Sequence, residues 1–184
     1  MSGSPIETLH AGTHLHLLRR DGWEFVRRAH GGGVVGIVAI TDDRKLVLVE
    51  QPRIPVGCPT IELPAGLVGD ETADENLEHA ARRELLEETG YHAEHLRYLA
   101  EGPSSAGLTD ETLTLVLATG LSRQASGGGV GQERIRVHEV PLAEVPEWCR
   151  EQQRRGRLID LKVFVALYFA GVASSSFSSA DSGT

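Results

Sequence analysis

The stretch that decides the fold is Gly69–Tyr91, with the sequence GDETADENLEHAARRELLEETGY. Apolar residues recur in it every four positions, which is the spacing of one buried helical face. We therefore expect a helix over residues 73–89. Asp74 is positioned to cap its start, and Gly90 to end it in a left-handed conformation. The apolar residues of this face are Leu77, Ala81 and Leu85.

Three carboxylates share a second face of the same helix. Glu84, Glu87 and Glu88 stand at positions i, i+3 and i+4, and like-charge pairs at this spacing cost roughly 0.2–0.5 kcal/mol each. Carboxylate oxygens are the ligands that hard cations such as Mg²⁺ prefer. The pattern therefore predicts a divalent-cation site that lines a cleft, with Arg83 fixing a carboxylate rotamer. An acidic surface that is merely solvated is the alternative.

The spacing of the whole stretch carries a family resemblance. It matches the pattern GX5EX7REUXEEXGU, where U is a bulky apolar residue, at every fixed position, with an aromatic Tyr91 at the last U. The chain resembles the Nudix hydrolases. This resemblance implies an α/β/α sandwich with a mixed sheet, and hydrolysis of a nucleoside diphosphate linked to another group. It also implies Mg²⁺ or Mn²⁺ as cofactor, held by Glu84, Glu87 and Glu88, with Glu88 also counted as catalytic. Glu75 and Gly69 would then be architectural.

Upstream segments resemble the ADP-sugar pyrophosphatase branch of this family. In EQPRIP (50–55) the resemblance implies that Arg53 contacts a substrate phosphate. In ELPAGL (62–67) it implies that the backbone carbonyl of Ala65 binds metal. Trp23 would stack on the base of the substrate, in a site completed by the second subunit of a homodimer. A half-buried hairpin residue is the alternative for Trp23.

Two further acids are candidates for the reacting centre. Glu111 matches an acidic residue that the branch places near the metals and the scissile pyrophosphate, so it is a candidate for substrate binding and catalysis. Glu133 follows a glycine run, 127–129, which predicts a mobile loop that could bring a general base to the attacking water. We prefer Glu133 to Glu111 as the base. A solvated Glu111, and a metal-activated water that needs little help from a base, stay open.

One departure from the branch affects the substrate. ADP-ribose pyrophosphatases usually carry Pro-Gly where this chain has Ala106-Gly107, and the nearest proline is Pro103. The expected reaction is hydrolysis of a nucleotide sugar such as ADP-ribose to a nucleoside monophosphate and a sugar phosphate. GDP-mannose or another nucleoside diphosphate derivative is an alternative substrate. A non-catalytic nucleotide-binding module is the alternative from another class.

The rest of the chain predicts an α/β domain preceded by an N-terminal β-hairpin. The hairpin pairs residues 14–20 with 23–29 around Asp21-Gly22. Strands are expected at 34–40, 45–51, 60–62, 95–100, 112–118 and 134–140, and further helices at 142–155 and 159–171. The predicted division is 1–33 for the hairpin region (dimerisation and substrate base), 34–172 for the Nudix domain and 173–184 for a disordered Ser-rich tail.

The composition of the chain limits the classes of partner that it is expected to bind. The 184 residues carry a formal charge of −8, which argues against a nucleic-acid binder that works by phosphate neutralisation. The longest uncharged apolar stretch, Val163–Ala173, is too short to span a membrane, and we expect none as partner. Two distant cysteines and no apparent export signal predict a reducing, cytoplasmic location.

Overall fold

The N-terminal segment forms a small antiparallel sheet. The computed structural model of the chain describes residues 4–70, 72, 74–131 and 133–177. Three strands lie in the order β1-β2-β3. The predicted hairpin is confirmed, and Asp21 and Gly22 both have positive φ at its turn. The first strand was not predicted, because it is almost wholly exposed and has no apolar face. The strands are β1 (Glu7–Ala11), β2 (Leu15–Arg20) and β3 (Trp23–Arg28).

The main sheet has eight strands, of which six lie in the order β11-β6-β5-β4-β9-β8. Two shorter partners extend it, with β10 on β5 and β7 on β4. The pairs β4–β9 and β6–β11 are parallel and the others are antiparallel, so the sheet is mixed as predicted. The strands are β4 (Gly33–Ile40), β5 (Lys45–Arg53), β6 (Cys58–Glu62), β7 (Ala65–Val68), β8 (Tyr91–Pro103), β9 (Thr112–Arg123), β10 (Arg136–Pro141) and β11 (Leu158–Ile159).

Helices cover both faces of this sheet. On β4, Val35 and Ile37 pack into the cluster that contains α1, while Val38 packs into the cluster of α2 and α3. Alternate side chains of a strand point to opposite faces, so the wholly apolar β4 is buried on both sides. The predicted α/β/α sandwich is confirmed. The helices are α1 (Leu77–Thr89), α2 (Val145–Arg154) and α3 (Lys162–Phe177).

A split in the main sheet positions the site. The first half of β4 pairs with β7, with Gly36 opposite Ala65, and its end pairs with β5. Between them, the Ile37 amide donates to the carbonyl of Pro64 over 2.8 Å. The split therefore places the backbone of Ala65 next to α1.

Helix boundaries differ from the prediction in all three helices, and α2 and α3 begin at Val145 and Lys162, three residues later than expected. The start of α1 is capped by Asn76, whose side chain accepts from the His79 amide over 2.9 Å, so the helix begins later than residue 73. Gly90 ends it with φ of 77°, as expected. The last helix continues to Phe177, since no glycine or proline stands between 172 and 177 to end it. It thus includes the first residues of the predicted disordered tail, whose remainder lies outside the described residues.

In the described part of the chain, none of the helices combines the length and the apolar character needed to cross a bilayer.

Candidate active site

Arg83 lies at the centre of the acidic helix face. Its guanidinium bonds to Glu75 over 2.9 Å, to Glu84 over 2.8 Å and to Glu87 over 3.3 Å. It also donates to the carbonyl of Leu67 on β7 over 3.2 Å. The side chain is 11% exposed, so these charge-assisted bonds form away from bulk water. The rotamer-fixing role predicted for Arg83 matches this arrangement.

The Glu75 carboxylate has hydrogen-bond partners on three other residues. Besides Arg83, it accepts from the Gly69 amide over 3.1 Å and lies 3.0 Å from the ring of His79. The hydrogen bond from Arg83 is the main cause that lowers the pKa of Glu75 to about 2. These contacts join the loop before α1 to the helix itself, which agrees with the architectural role expected for Glu75 and Gly69.

Glu84 is pressed against the strand that follows the sheet split. A Cβ placed on Gly66 would lie 1.9 Å from the Glu84 carboxyl carbon, so glycine at this position lets the carboxyl in its present rotamer lie against the backbone. Burial raises the pKa of Glu84 to about 7, against the lowering effect of Arg83. The charges of Glu87 and Glu133 raise it further.

Glu88 is the most deeply buried of the three predicted ligands, with 5% of its surface exposed. Its carboxylate accepts from the Ala65 amide over 3.1 Å, so two predicted ligand residues lie in direct contact. Burial is the main cause that raises the pKa of Glu88 to about 8, with contributions from Glu84 and Glu133.

These donors suit a hard divalent cation. Buried carboxylates that repel one another are stabilised by a cation, and their oxygens match Mg²⁺ and Mn²⁺. Among the described residues, no three acidic, His or Cys side chains converge as a finished ligand set. The reason lies in their present partners, because Glu84 and Glu87 bond to Arg83 and Glu88 bonds to Ala65. Ligation of one cation by all three carboxylates would therefore require these side chains to rotate.

Glu133 reaches this cluster from far along the chain. Its charge acts on both Glu84 and Glu88, although about 45 residues separate them in sequence. The glycine run before Glu133 is attached to the helix, because the amides of Gly128 and Gly129 donate to carbonyls of α1. The charge of the preferred base candidate thus acts on the predicted ligands, and two backbone hydrogen bonds hold its loop against α1.

Arg53 lies near enough to the acidic cluster for its charge to lower the pKa of Glu88. It forms two parallel hydrogen bonds with Glu62, of 2.7 and 2.6 Å, and remains 45% exposed. Both residues line a cavity of about 780 Å³ with mostly aliphatic walls, bounded by β6, β9 and the start of α3. Thr60 also lines it, and its buried hydroxyl has no hydrogen-bond partner among the described residues.

The other two predicted residues sit beside the N-terminal sheet. Glu111 accepts from Arg28 over 2.5 Å and from the Ser104 hydroxyl over 3.0 Å. Trp23 is 63% exposed and donates from Nε1 to the carbonyl of Gly107 over 3.2 Å. The half-buried alternative for Trp23 is therefore wrong, and its ring is available to stack. Neither residue's role in the reaction is tested by these contacts.

Several site residues escaped the sequence argument. Glu62 and Gly66 lie in the segment ELPAGL, but their contacts with Arg53 and Glu84 depend on the tertiary structure, and no local pattern marks Thr60. Asn76 could have been found, since Asn is as good an N-cap as Asp and directly precedes Leu77.

Comparisons with known proteins agree with this geometry. A NUDIX domain model matches residues 31–161. The methanol dehydrogenase activator of Bacillus methanolicus is 33% identical over 138 residues, which is 74% of this chain and 71% of that protein. The GDP-mannose pyrophosphatase of Cronobacter sakazakii is 32% identical over 164 residues, 82% of this chain and 81% of that protein.

Two further similarities concern ADP-linked compounds. An ADP-ribose pyrophosphatase of Bacillus subtilis is 36% identical over 115 residues, covering 62% of this chain and 57% of that protein. The crystal structure of an ADP compounds hydrolase superimposes with a TM-score of 0.63 at 22% identity, over 79% of this chain and 82% of that one. At this identity the superposition shows the fold alone.

The domain match covers well over half of the chain, and the matched residues keep every glutamate of the motif. The chain belongs to the Nudix domain family, as a Nudix hydrolase.

Proposed function

We propose that this protein hydrolyses the pyrophosphate bond of a nucleoside diphosphate sugar, with ADP-ribose or a close analogue as substrate. Water attacks one phosphorus atom, the bridging P–O bond breaks, and the products are a nucleoside monophosphate and a sugar phosphate. The observation that carries the proposal is the buried contact of Glu88 with the Ala65 amide, beside Glu84 against Gly66, with the charge of Glu133 acting on both carboxyls. Relatives that act on ADP-ribose and on GDP-mannose support the substrate class.

Glu84, Glu87, Glu88 and the Ala65 carbonyl would hold Mg²⁺ or Mn²⁺. Such ions neutralise a pyrophosphate and lower the pKa of bound water. Glu133 accepts the proton of the attacking water at its carboxylate. Glu111, fixed by Arg28, would contribute on the substrate side.

Arg53 would bind a substrate phosphate. Its bonds to Glu62 use two of the five N–H groups of a guanidinium, so others face the solvent-exposed side. The adjoining cavity of about 780 Å³ is large enough for one end of a nucleotide sugar. Trp23 would stack on the base.

We further propose a homodimer formed through the β1–β3 sheet. In that sheet only Leu18 is buried among the described residues, and Leu15 and Trp23 are 48% and 63% exposed. Light scattering on the full chain tests this, and a monomer contradicts it. We expect a cytoplasmic location, in keeping with the free thiols of Cys58 and Cys149.

The test of the reaction is a substrate panel. ADP-ribose, ADP-glucose, GDP-mannose, diadenosine polyphosphates and coenzyme A are each incubated with Mg²⁺, with Mn²⁺ and with chelator. A phosphatase that acts only on monoesters then releases phosphate from the products, except for coenzyme A, whose own 3′-phosphate is a monoester and whose cleavage is followed by chromatography. We expect cation-dependent cleavage of a nucleotide sugar, and chromatography should recover both phosphorylated halves.

Two variants make the result specific. Glu88→Gln should remove cleavage, whereas Glu78→Gln, at a 66% exposed position on the same helix, should not. Binding of ADP-ribose without cleavage of any compound would favour a nucleotide-binding module instead. Preferential cleavage of GDP-mannose would favour the alternative substrate.

A further inference from the structure

The loop that carries Glu133 is attached to the end of α1 by its backbone. The Gly128 amide donates to the carbonyl of Glu88 over 2.9 Å, and the Gly129 amide donates to the carbonyl of Glu87 over 3.0 Å. We name these two hydrogen bonds the loop anchor. The last carbonyls of a helix lack partners within the helix, and here a distant loop supplies them. The anchored residues are the same two glutamates whose side chains lie on the acidic face.

Close backbone contact accompanies the anchor. A Cβ on Gly127 would lie 2.4 Å from the carbonyl carbon of Thr89 and 2.7 Å from the nitrogen of Gly90. A Cβ on Gly90 would in turn lie 2.1 Å from the oxygen of Ala125. The two segments therefore cross where neither has a side chain, and the loop can approach α1 this closely only with glycine at the crossing.

Glu133 is held in a tight turn beyond the anchor. Its carboxylate accepts from the Val130 amide over 2.9 Å, and its own amide donates to the carbonyl of Val130 over 3.2 Å. The turn closes back on the anchor, since the Ile135 amide donates to the carbonyl of Gly128 over 3.3 Å. These hydrogen bonds restrain the loop between the crossing and the carboxylate of Glu133.

We propose that Gly127 is a positioning residue, whose contact with the end of α1 sets the placement of Glu133 relative to Glu84 and Glu88. The loop anchor joins the helix that carries the ligands to the loop that carries the base. A shift at the crossing would displace the loop and Glu133, whereas Glu84 and Glu88 would stay in place on the helix. This inference rests on the proposed function for the role of Glu133. It concerns the glycine crossing, which does not touch the reacting atoms.

The chain offers a matched pair of substitutions. Gly127 and Gly131 lie in the same loop with φ of +68° and +64°, so alanine is strained equally at both. Nothing lies within 4 Å of a Cβ at Gly131, whereas one at Gly127 meets α1. We expect Gly127→Ala to lower kcat about 10²-fold with KM little changed, because a misplacement of about 1 Å costs this much. Gly131→Ala should stay within a few-fold of the wild type.

A second measurement distinguishes positioning from general damage. If Gly127 acts through Glu133, Gly127→Ala in a Glu133→Gln background should lower kcat no further than Glu133→Gln alone. Equal and multiplicative losses in the two backgrounds would overturn the proposal, as would equal kcat values for Gly127→Ala and Gly131→Ala.

A third measurement does not depend on activity. In metal-free protein, the amides of Gly128 and Gly129 should be protected from hydrogen exchange, and Gly131→Ala should retain that protection. Gly127→Ala should lose it while the core of the sheet stays protected. Unprotected glycine amides in the wild type would overturn the anchor even if Gly127→Ala does not fold. Protected amides in a protein that cleaves none of the panel would contradict the proposed reaction and leave the anchor supported.

Discussion

Glu75 lies just before α1 and Glu88 lies in its last turn, and the environments of the two carboxyls are opposite. Glu75 has Arg83, the Gly69 amide and His79 as partners, and its pKa is lowered to about 2. Glu88 is buried with one backbone amide as its hydrogen-bond partner, and its pKa is raised to about 8. Burial favours the neutral form of a carboxyl, and hydrogen bonds and a nearby cation favour the charged form.

The difference separates a carboxylate that stabilises the fold from one that is available for chemistry. The ionisation of Glu75 is already compensated by the protein. That of Glu88 has little compensation from the described residues, and a bound cation would supply it. The two ends of α1 should therefore respond differently to mutation, pH and metal.

The largest expected effect is on turnover. Glu88→Gln should lower kcat by about 10²–10³-fold, since it removes a charge that would hold the cation opposite the scissile bond. The amide oxygen of Gln can still accept from Ala65, so the Tm should not fall. Steady-state kinetics and thermal melts on one preparation measure both. Wild-type turnover in this variant would contradict the ligand assignment.

Glu75→Gln should show the opposite pattern, with a loss of about 2 kcal/mol in the free energy of unfolding. It breaks charge-assisted bonds to Arg83, each side of which is largely buried. Urea unfolding measures the loss, and kcat of the remaining folded protein should change far less than in Glu88→Gln. Equal effects of both substitutions on kcat would mean that the two ends do not differ as proposed.

The pH dependence of stability should also differ between the two ends in chelator. Glu75 has a folded pKa below the ordinary 4.5, so its contribution is present above pH 4.5 and is lost as pH falls towards 2. Glu84 and Glu88 have folded pKa values of about 7 and 8, so the folded protein holds protons that the unfolded chain releases. Their contribution is full below pH 4.5 and declines as pH rises to 8.

Melting temperatures of metal-free wild type, Glu75→Gln and Glu88→Gln from pH 3 to pH 9 test these signs. The acid-side decline should be smaller in Glu75→Gln, and the decline between pH 5 and pH 8 smaller in Glu88→Gln. Addition of Mg²⁺ should raise the wild-type Tm most at the upper end of the range. Parallel curves for all three proteins would show that neither carboxyl has a shifted pKa.

The smallest effect concerns the start of α1. Asn76→Ala should cost about 1 kcal/mol, because it removes the side-chain oxygen that accepts from the His79 amide. Asp74→Ala is the control and should change the unfolding free energy little. A larger loss for Asp74→Ala would restore the cap expected from the sequence.

Much of the fold followed from local signals. The strand β4 was placed in the centre of the sheet because both of its faces are apolar, and the hairpin followed from Asp21-Gly22. The short strands β7 and β11 were missed, since four or two residues carry too little periodicity to be recognised. Their pairing depends on β4 and β6, which local sequence does not specify.

The sequence by itself determined the family and the acidic face of α1, because the helical repeat fixes which of Glu84, Glu87 and Glu88 lie together. Only the tertiary structure decided which groups surround each of these carboxylates. The burial of Glu88 against Ala65, the close fit of Glu84 to Gly66 and the arrival of Glu133 all depend on segments that fold back over many residues. The pKa of a carboxyl group depends on its neighbours in space, and the order of residues along the chain does not specify those neighbours.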